Sequence, residues 1–343
     1  MQGKIQERIK NIHKNFTIVD AHLDLLFDVE KKRKKGQKKV IEAEYLAEFK
    51  DGGVNIIVSS IYIEDDYLPE LALRKALDQI SAFYSELKES EDKIAFVRNG
   101  SDVEQALKKG KIGILLSFEG VEPLVNDINL LRIFYELGVR GVGLTWSRRN
   151  YAADGCRFSQ DKDRENGLSE FGEQVVKEAE KLGMVIDVSH LNETGFWNVM
   201  EITTKPVIAS HSNCRAINGV MRNLTDDQIK ALAKTGGVIG INAASVIVAE
   251  QNADVKALAD HVDHLKEIAG IEHVGLGFDF CDKIFRNQTQ SNGKKQDGPY
   301  DVIQGHKNIH FLTEELITRG YSDDELRLIY GENFMRVYNT ILK

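Results

Sequence analysis

Eight apolar runs separated by amphipathic stretches constrain the fold of this chain more than any other feature. The runs occupy residues 16–22, 54–63, 112–119, 139–146, 184–190, 206–211, 237–243 and 273–280. Helical patterns lie between most of them. The clearest covers 169–182, where Phe171, Val175, Val176, Ala179 and Leu182 share one face and Gly183 supplies a stop. Thr225-Asp226-Asp227-Gln228 reads as a capping box. Residues 252–269 form a long helical pattern ending at Gly270, and 322–342 reads as two helices broken near Gly331. Strand and helix alternating in this way predict an α/β fold, a parallel (β/α)8 TIM-type barrel formed by residues 1–343 as a single domain. A doubly wound open sheet is the alternative. It brings the ends of the first, third, fifth, sixth and eighth runs together less naturally. The longest irregular stretch, 281–305, follows the last run and is expected to lie over the mouth of the pocket.

The runs share a second property, which is the chemistry of their C-terminal ends. Asp20-Ala-His22-Leu-Asp24 closes the first run, and side chains two apart on a strand point the same way. Glu119, His190, His211 and Asp279 close four others. A lone polar strand end is ordinary, and a hydrogen-bonded histidine explains the first motif by itself. Five such ends, all of metal-ligand or acid–base type, fit one shared pocket at the face where barrel enzymes hold their active sites. Imidazole with carboxylate suits a borderline metal such as zinc. His22 and Asp24 can hold one ion and His190 and His211 another, with Glu119 bridging them. Asp279 is then free to move protons between water and a leaving amine.

Composition narrows the alternatives. A formal net charge of −8 argues against a general nucleic-acid binder. The local exception is the basic run Lys31 to Lys39, expected to be a solvated loop. No run reaches the ~18 apolar residues of a membrane span, and the polar N-terminus lacks a signal-peptide core. Cys156, Cys214 and Cys281 form no ligand cluster. An odd count without an export signal suggests reduced thiols and a cytoplasmic location.

The motifs in order resemble the membrane (renal) dipeptidase family of zinc peptidases, within the metal-dependent amidohydrolase superfamily. The resemblance runs from about Val19 to Tyr338. It rests on Asp20-Ala-His22-Leu-Asp24, Ser117-Phe-Glu119-Gly120, the stretch from Gly167 to His190, Pro206-Val-Ile-Ala-Ser-His211, Met221-Arg222-Asn-Leu-Thr, and Gly277-Phe-Asp279-Phe. It implies two zinc ions bridged by Glu119 and a hydroxide, with Asp279 as proton shuttle. It also implies a dipeptide substrate whose free carboxylate is held by Arg222, with a D-residue tolerated at that end. A homodimer is left open.

The chain departs from the family pattern in places. Trp146 stands where animal members carry a histidine, and is expected to offer substrate a neutral N–H. A substrate-binding tyrosine is replaced around Ala243-Ala244, and Cys281 precedes a shifted Asp282. Asp20 is either an acid that orients a ligand or a plain strand polar group. Asp187 is expected to be a buried hydrogen-bonded acid. His13, His261, His264, His306 and His310 are expected at the surface. Another superfamily hydrolase, acting on a lactone, cyclic amide or N-acyl amino acid, is the same-fold alternative. A catalytically silent metal-binding partner protein is the alternative from a different class.

Overall fold

The computed structural model describes residues 2–158, 166–285 and 298–343. The strands are β1 (Ile18–Leu23), β2 (Val54–Tyr62), β3 (Ile94–Val97), β4 (Ile112–Glu119), β5 (Val139–Gly143), β6 (Val185–Asp187), β7 (Ile239–Ile241) and β8 (Val274–Leu276). Every ladder is parallel. One sheet runs β1-β2-β4-β5-β6, with β3 also on β4, and β7 pairs with β8. Both β1 and β4 are buried along their whole length, as expected of parallel strands covered on both faces.

Residues 206–211 join the two sheets without forming a regular strand. Isolated bridges link Ile208 to Asp187 and Ala209 to Ile239. Strand pairing stops there because side chains take over the backbone donors. Asp187 Oδ1 accepts the Ser210 N–H at 2.9 Å, and Ser189 Oγ accepts that of His211 at 3.2 Å. On the other side, β8 meets β1 beyond its ladder. The Phe278 N–H donates to Asp20 Oδ1 at 3.0 Å and the Asp279 N–H to His22 O at 3.3 Å.

The strand pattern missed β3. It is only four residues long and carries no polar end. It shares one edge of β4 with β5, pairing with 112–115 while β5 pairs with 116–119. The helices follow the sequence closely. Ser169 caps Glu170–Leu182 through its Oγ, which accepts the Gly172 N–H at 3.1 Å, a contact typically worth ~1 kcal/mol. Gly183 ends that helix at φ 81°, a left-handed turn that glycine adopts without strain. Thr225 and Gln228 form the reciprocal capping box. The break near Gly331 is a π-helical turn, Leu328–Glu332. A side chain at Gly331 would press its Cβ to 2.1 Å from Thr17 O.

The basic run closes the helix Leu25–Lys34, where cations suit the carbonyl end. Its first four residues lie in the helix, not in the loop expected, and their charges are paired. Lys31 meets Glu64, Lys32 meets Asp28 and Glu44, Arg33 meets Glu86 and Glu89, and Lys34 meets Glu30 and Asp78. Of the stretch 281–305, residues 286–297 lie outside the described residues. What precedes them is a helical turn, Asp282–Phe285, and Asp301 bridges back to Ala244. Among the described residues, no helix is long and apolar enough to cross a membrane.

Candidate metal centre

The strand ends converge. Glu119 closes β4, and His22 is the penultimate residue of β1. Asp24 begins the turn into the next helix at φ −73°, ψ 43°, so the extended geometry stops before it. His190, His211 and Asp279 follow β6, the bridged segment and β8. His190 and Asp279 adopt φ of 66° and 56°, a left-handed conformation uncommon for non-glycine residues. Such conformations persist where surrounding structure enforces them and cluster at functional sites. Here they occur at the points where the chain leaves the strands.

Three histidines surround Glu119. Its Oε1 lies 3.0 Å from His190 Nε2 and 3.6 Å from His211 Nε2, and its Oε2 lies 3.6 Å from His22 Nε2. His190 Nε2 and His211 Nε2 are 2.9 Å apart. The rings of His22 and His211 stack at 3.6 Å. On the other side, His22 Nε2 lies 3.8 Å from Asp279 Oδ1. Two sets of ligand atoms, His22 with Glu119 and His211, and His22 with Asp24 and Asp279, each fall within 4.8 Å of one another. All six residues are mostly or wholly buried.

Residues behind the candidate ligands fix their orientation. Ser147 Oγ lies 2.9 Å from His190 Nδ1 and Ser210 Oγ 2.6 Å from His211 Nδ1. With a metal bound, a proton on each Nδ1, donated to the hydroxyl, would leave each Nε2 lone pair free to ligate it. Ser210 passes its own proton toward Asp187, whose other oxygen accepts the N–H groups of Ser189 and Ser210 at 2.9 Å. Asp187 is therefore the buried hydrogen-bonded acid expected from sequence. Ser60 donates to Asp24, and Asn242 Nδ2 donates to Asp279 Oδ2 at 2.9 Å. Asn242 escaped the sequence reading although it too closes an apolar run. Ser60, Ser147 and Ser210 gave no signal there, because a serine beside a strand end is commonplace.

Asp20 turns away from Glu119. Its Oδ1 receives the N–H groups of Phe278 and His22, and its Oδ2 lies 2.7 Å from His306 Nε2. His306 is buried between the edges of Phe49 and Phe280, and His261 is wholly buried, so neither is at the surface. His306 was misread because its partner lies 286 residues away in sequence.

The site asks for positive charge. Burial disfavours an imidazolium at His22, yet Glu119, Asp279 and Asp24 outweigh it and raise the pKa to about 10. Burial would also raise Glu119, but the three histidines hold it well below the usual carboxylate range. Asp24 is pushed up by burial and by Glu119. Asp279 is raised by burial, with Glu119 adding to the effect and His22 opposing it. Burial and nearby Arg222 lower His190 to about 3. Two buried ligand-type atoms, His22 Nε2 and Glu119 Oε2, have no hydrogen-bond partner. Clustered carboxylates, the neutral imidazoles of His190 and His211 and these two bare atoms fit a bound metal cation.

A cavity of about 580 Å³ opens onto Asp24, Glu119, His190 and Asp279, with Trp146 in its wall. Cys281, Asp282, Phe285, Gly298 and Pro299 also line it, so both described ends of the irregular stretch border the cavity. Arg222 is buried behind the site. It donates from Nη1 to Ser212 Oγ and from Nη2 to His211 O, both at 2.7 Å, and its Nε has no partner. It is not part of the cavity wall.

The sequence pattern of the membrane dipeptidase family, peptidase family M19, matches residues 6–343. The chain belongs to that family. Membrane dipeptidase family members are peptidases, so the chain is placed among hydrolase enzymes. Dipeptidase verJ of Clonostachys rogersoniana is 30% identical over 273 residues, covering 79% of this chain and 66% of its own length. Dipeptidase 3 of Homo sapiens is 29% identical over 354 residues, covering 99% of this chain and 68% of its own. The chain thus spans about two thirds of the length of these relatives. A metallopeptidase from Rhodobacter sphaeroides, solved with a phosphinate mimic of the dipeptide L-Ala-D-Ala, shares the fold. It has a TM-score of 0.84 and 24% identity, with 95% of this chain and 99% of that one covered.

Proposed function

We propose that this chain is a binuclear zinc dipeptidase whose strands close into a (β/α)8 barrel, with the metal site at their C-terminal ends. The observation that carries the reading is the convergence of His22, Asp24, Glu119, His190, His211 and Asp279 on one buried point. His22 and Asp24 would hold one zinc, His190 and His211 the other, and Glu119 would bridge them. Bound there, the metals would acidify water and polarise the scissile carbonyl. The rest falls to the protein. Ser147, and Ser210 with Asp187 behind it, keep two imidazoles in the ligating tautomer. Asp279 takes a proton from the attacking water and delivers it to the leaving amine, with Asn242 fixing the oxygen it does not use. Trp146 offers an indole N–H to the developing oxyanion. Arg222, with Nε unpartnered, clamps the substrate carboxylate. Dipeptides with a free C-terminus, including those ending in a D-residue, are the proposed substrates.

One observation favours a second reading. Because Arg222 stands outside the cavity wall, a broader hydrolase acting on lactones, cyclic amides or N-acyl amino acids fits the metal site equally well. One experiment separates the two. Dipeptides free and amidated at the C-terminus are compared with zinc-loaded, chelated and zinc-restored protein. The dipeptidase reading expects zinc-dependent cleavage and at least about a tenfold preference for the free acid, since a buried charge-assisted contact is worth ~2–5 kcal/mol. Equal cleavage of both forms would remove the clamp and favour the broader hydrolase.

A further inference from the structure

The cavity has an apolar side that the proposed chemistry uses only through the N–H of Trp146. Tyr62, Trp146, Phe158, Phe285, Val246 and Ile247 line it. The rings form a continuous series. Tyr62 and Trp146 lie 5.4 Å apart at 59°, Trp146 and Phe158 6.0 Å apart at 51°, and Phe27 links Tyr62 to Phe285 at 5.8 and 5.4 Å. Spacings of this kind are those of favourable aromatic pairs.

Arg148 stands over two of these rings at once. Its guanidinium carbon lies 5.4 Å from the centre of Tyr62 and 5.3 Å from that of Trp146, within cation–π range. Its N–H groups are anchored elsewhere. Nε donates to Glu122 Oε1 at 2.7 Å, Nη1 to Asp65 Oδ1 at 3.0 Å and Nη2 to Ile63 O at 2.8 Å. These anchors sit on the loops that follow β2 and β4, while Arg148 itself follows β5. A planar fork with fixed donors holds rings in place more firmly than a flexible ammonium would.

We propose that Arg148 is a positioning residue that holds Tyr62 and Trp146 as a rigid apolar wall, and that this wall makes the enzyme select dipeptides carrying a bulky apolar side chain. The inference rests on the dipeptidase reading. A Leu or Phe side chain placed against the wall leaves water for apolar surface. An Asp side chain there loses its hydration, finds only the neutral O–H of Tyr62 and N–H of Trp146 as donors, and shares the cavity with the carboxylates of Asp24, Glu119 and Asp279.

The test is kcat/KM for two dipeptide series, X-Ala and Ala-X, with X = Ala, Leu, Phe or Asp. In at least one series the wild type should favour Phe or Leu over Asp by about tenfold or more, chiefly through KM, as an apolar pocket of this kind discriminates. Arg148→Met should shrink the Phe-to-Ala ratio while zinc content and cleavage of Ala-Ala remain measurable. Trp146→Leu, which keeps an apolar side chain but removes the ring, should shrink it as well. Dipeptide cleavage with no preference among the X residues in either series would overturn the wall and leave the dipeptidase reading standing. An unchanged Phe-to-Ala ratio in Arg148→Met would overturn the positioning role. No cleavage of any dipeptide by zinc-loaded protein would sink the dipeptidase reading and the wall with it.

Discussion

Among single residues, Asp279 carries the most weight in the proposed proton transfer. Its left-handed backbone, the bond from Asn242 to Oδ2 and the 3.8 Å approach of Oδ1 to His22 place one oxygen for proton transfer and hold the other. The same oxygen lies within ligand range of His22 and Asp24, so metal content must be measured alongside rate. Asp279→Asn keeps the shape and removes the base. It is expected to lower kcat by ~100-fold or more, as for loss of a general acid–base, with zinc per chain near the wild-type value. Near wild-type turnover would assign the proton to another group, and loss of zinc would make Asp279 a ligand. That the six candidate residues would lie close together was legible because each stands at or just past the end of an apolar run, and parallel strands bring such ends to one side. Their supporting hydroxyls were not. Whether a serine backs a histidine depends on the fold, as Ser147 shows by reaching across 43 residues to His190.

At the element scale, the helices were the most legible parts, since Ser169, Thr225 and Gly183 announce their own boundaries. Strand ends and β3 were less so. Strand pairing is settled by neighbours distant in sequence, and side chains such as Asp187 can displace a ladder. The helix Val255–Ala269 carries a consequence invisible in its own pattern. His261 on it is wholly buried. Its Nδ1 accepts the Cys214 N–H at 3.2 Å, and its Nε2 donates to Val248 O at 2.8 Å. Burial lowers its pKa to about 4, although the bond to Val248 pulls the other way. The ordinary value is near 6.5, so between those pH values the unfolded chain binds a proton that the folded chain does not. The stabilisation is complete above pH ~6.5 and is lost as pH falls through the window, by on the order of 2 kcal/mol at pH ~4.5. Urea unfolding at pH ~7 and ~4.5 should show wild type losing about that much more than His261→Gln. Equal losses in the two proteins would show that this ring does not stay neutral in the folded state.

At the scale of the whole molecule, the alternation of parallel strands with helices was readable from sequence, although β3 and the irregular pairing of 206–211 were not. The ties that span the chain were not. Asp20 on β1 with His306, and Arg148 with Glu122, Asp65 and Ile63, join segments whose proximity only the folded sheet creates. In the proposed mechanism these strand ends would hold two metals, with Glu119 between them. The most direct measurement is an anomalous difference map recorded at the zinc edge from crystals of zinc-loaded protein. Two peaks are expected on either side of the Glu119 carboxylate, one contacting His22 and Asp24 and the other His190 and His211. A single peak, or peaks away from Glu119, would contradict the binuclear assignment.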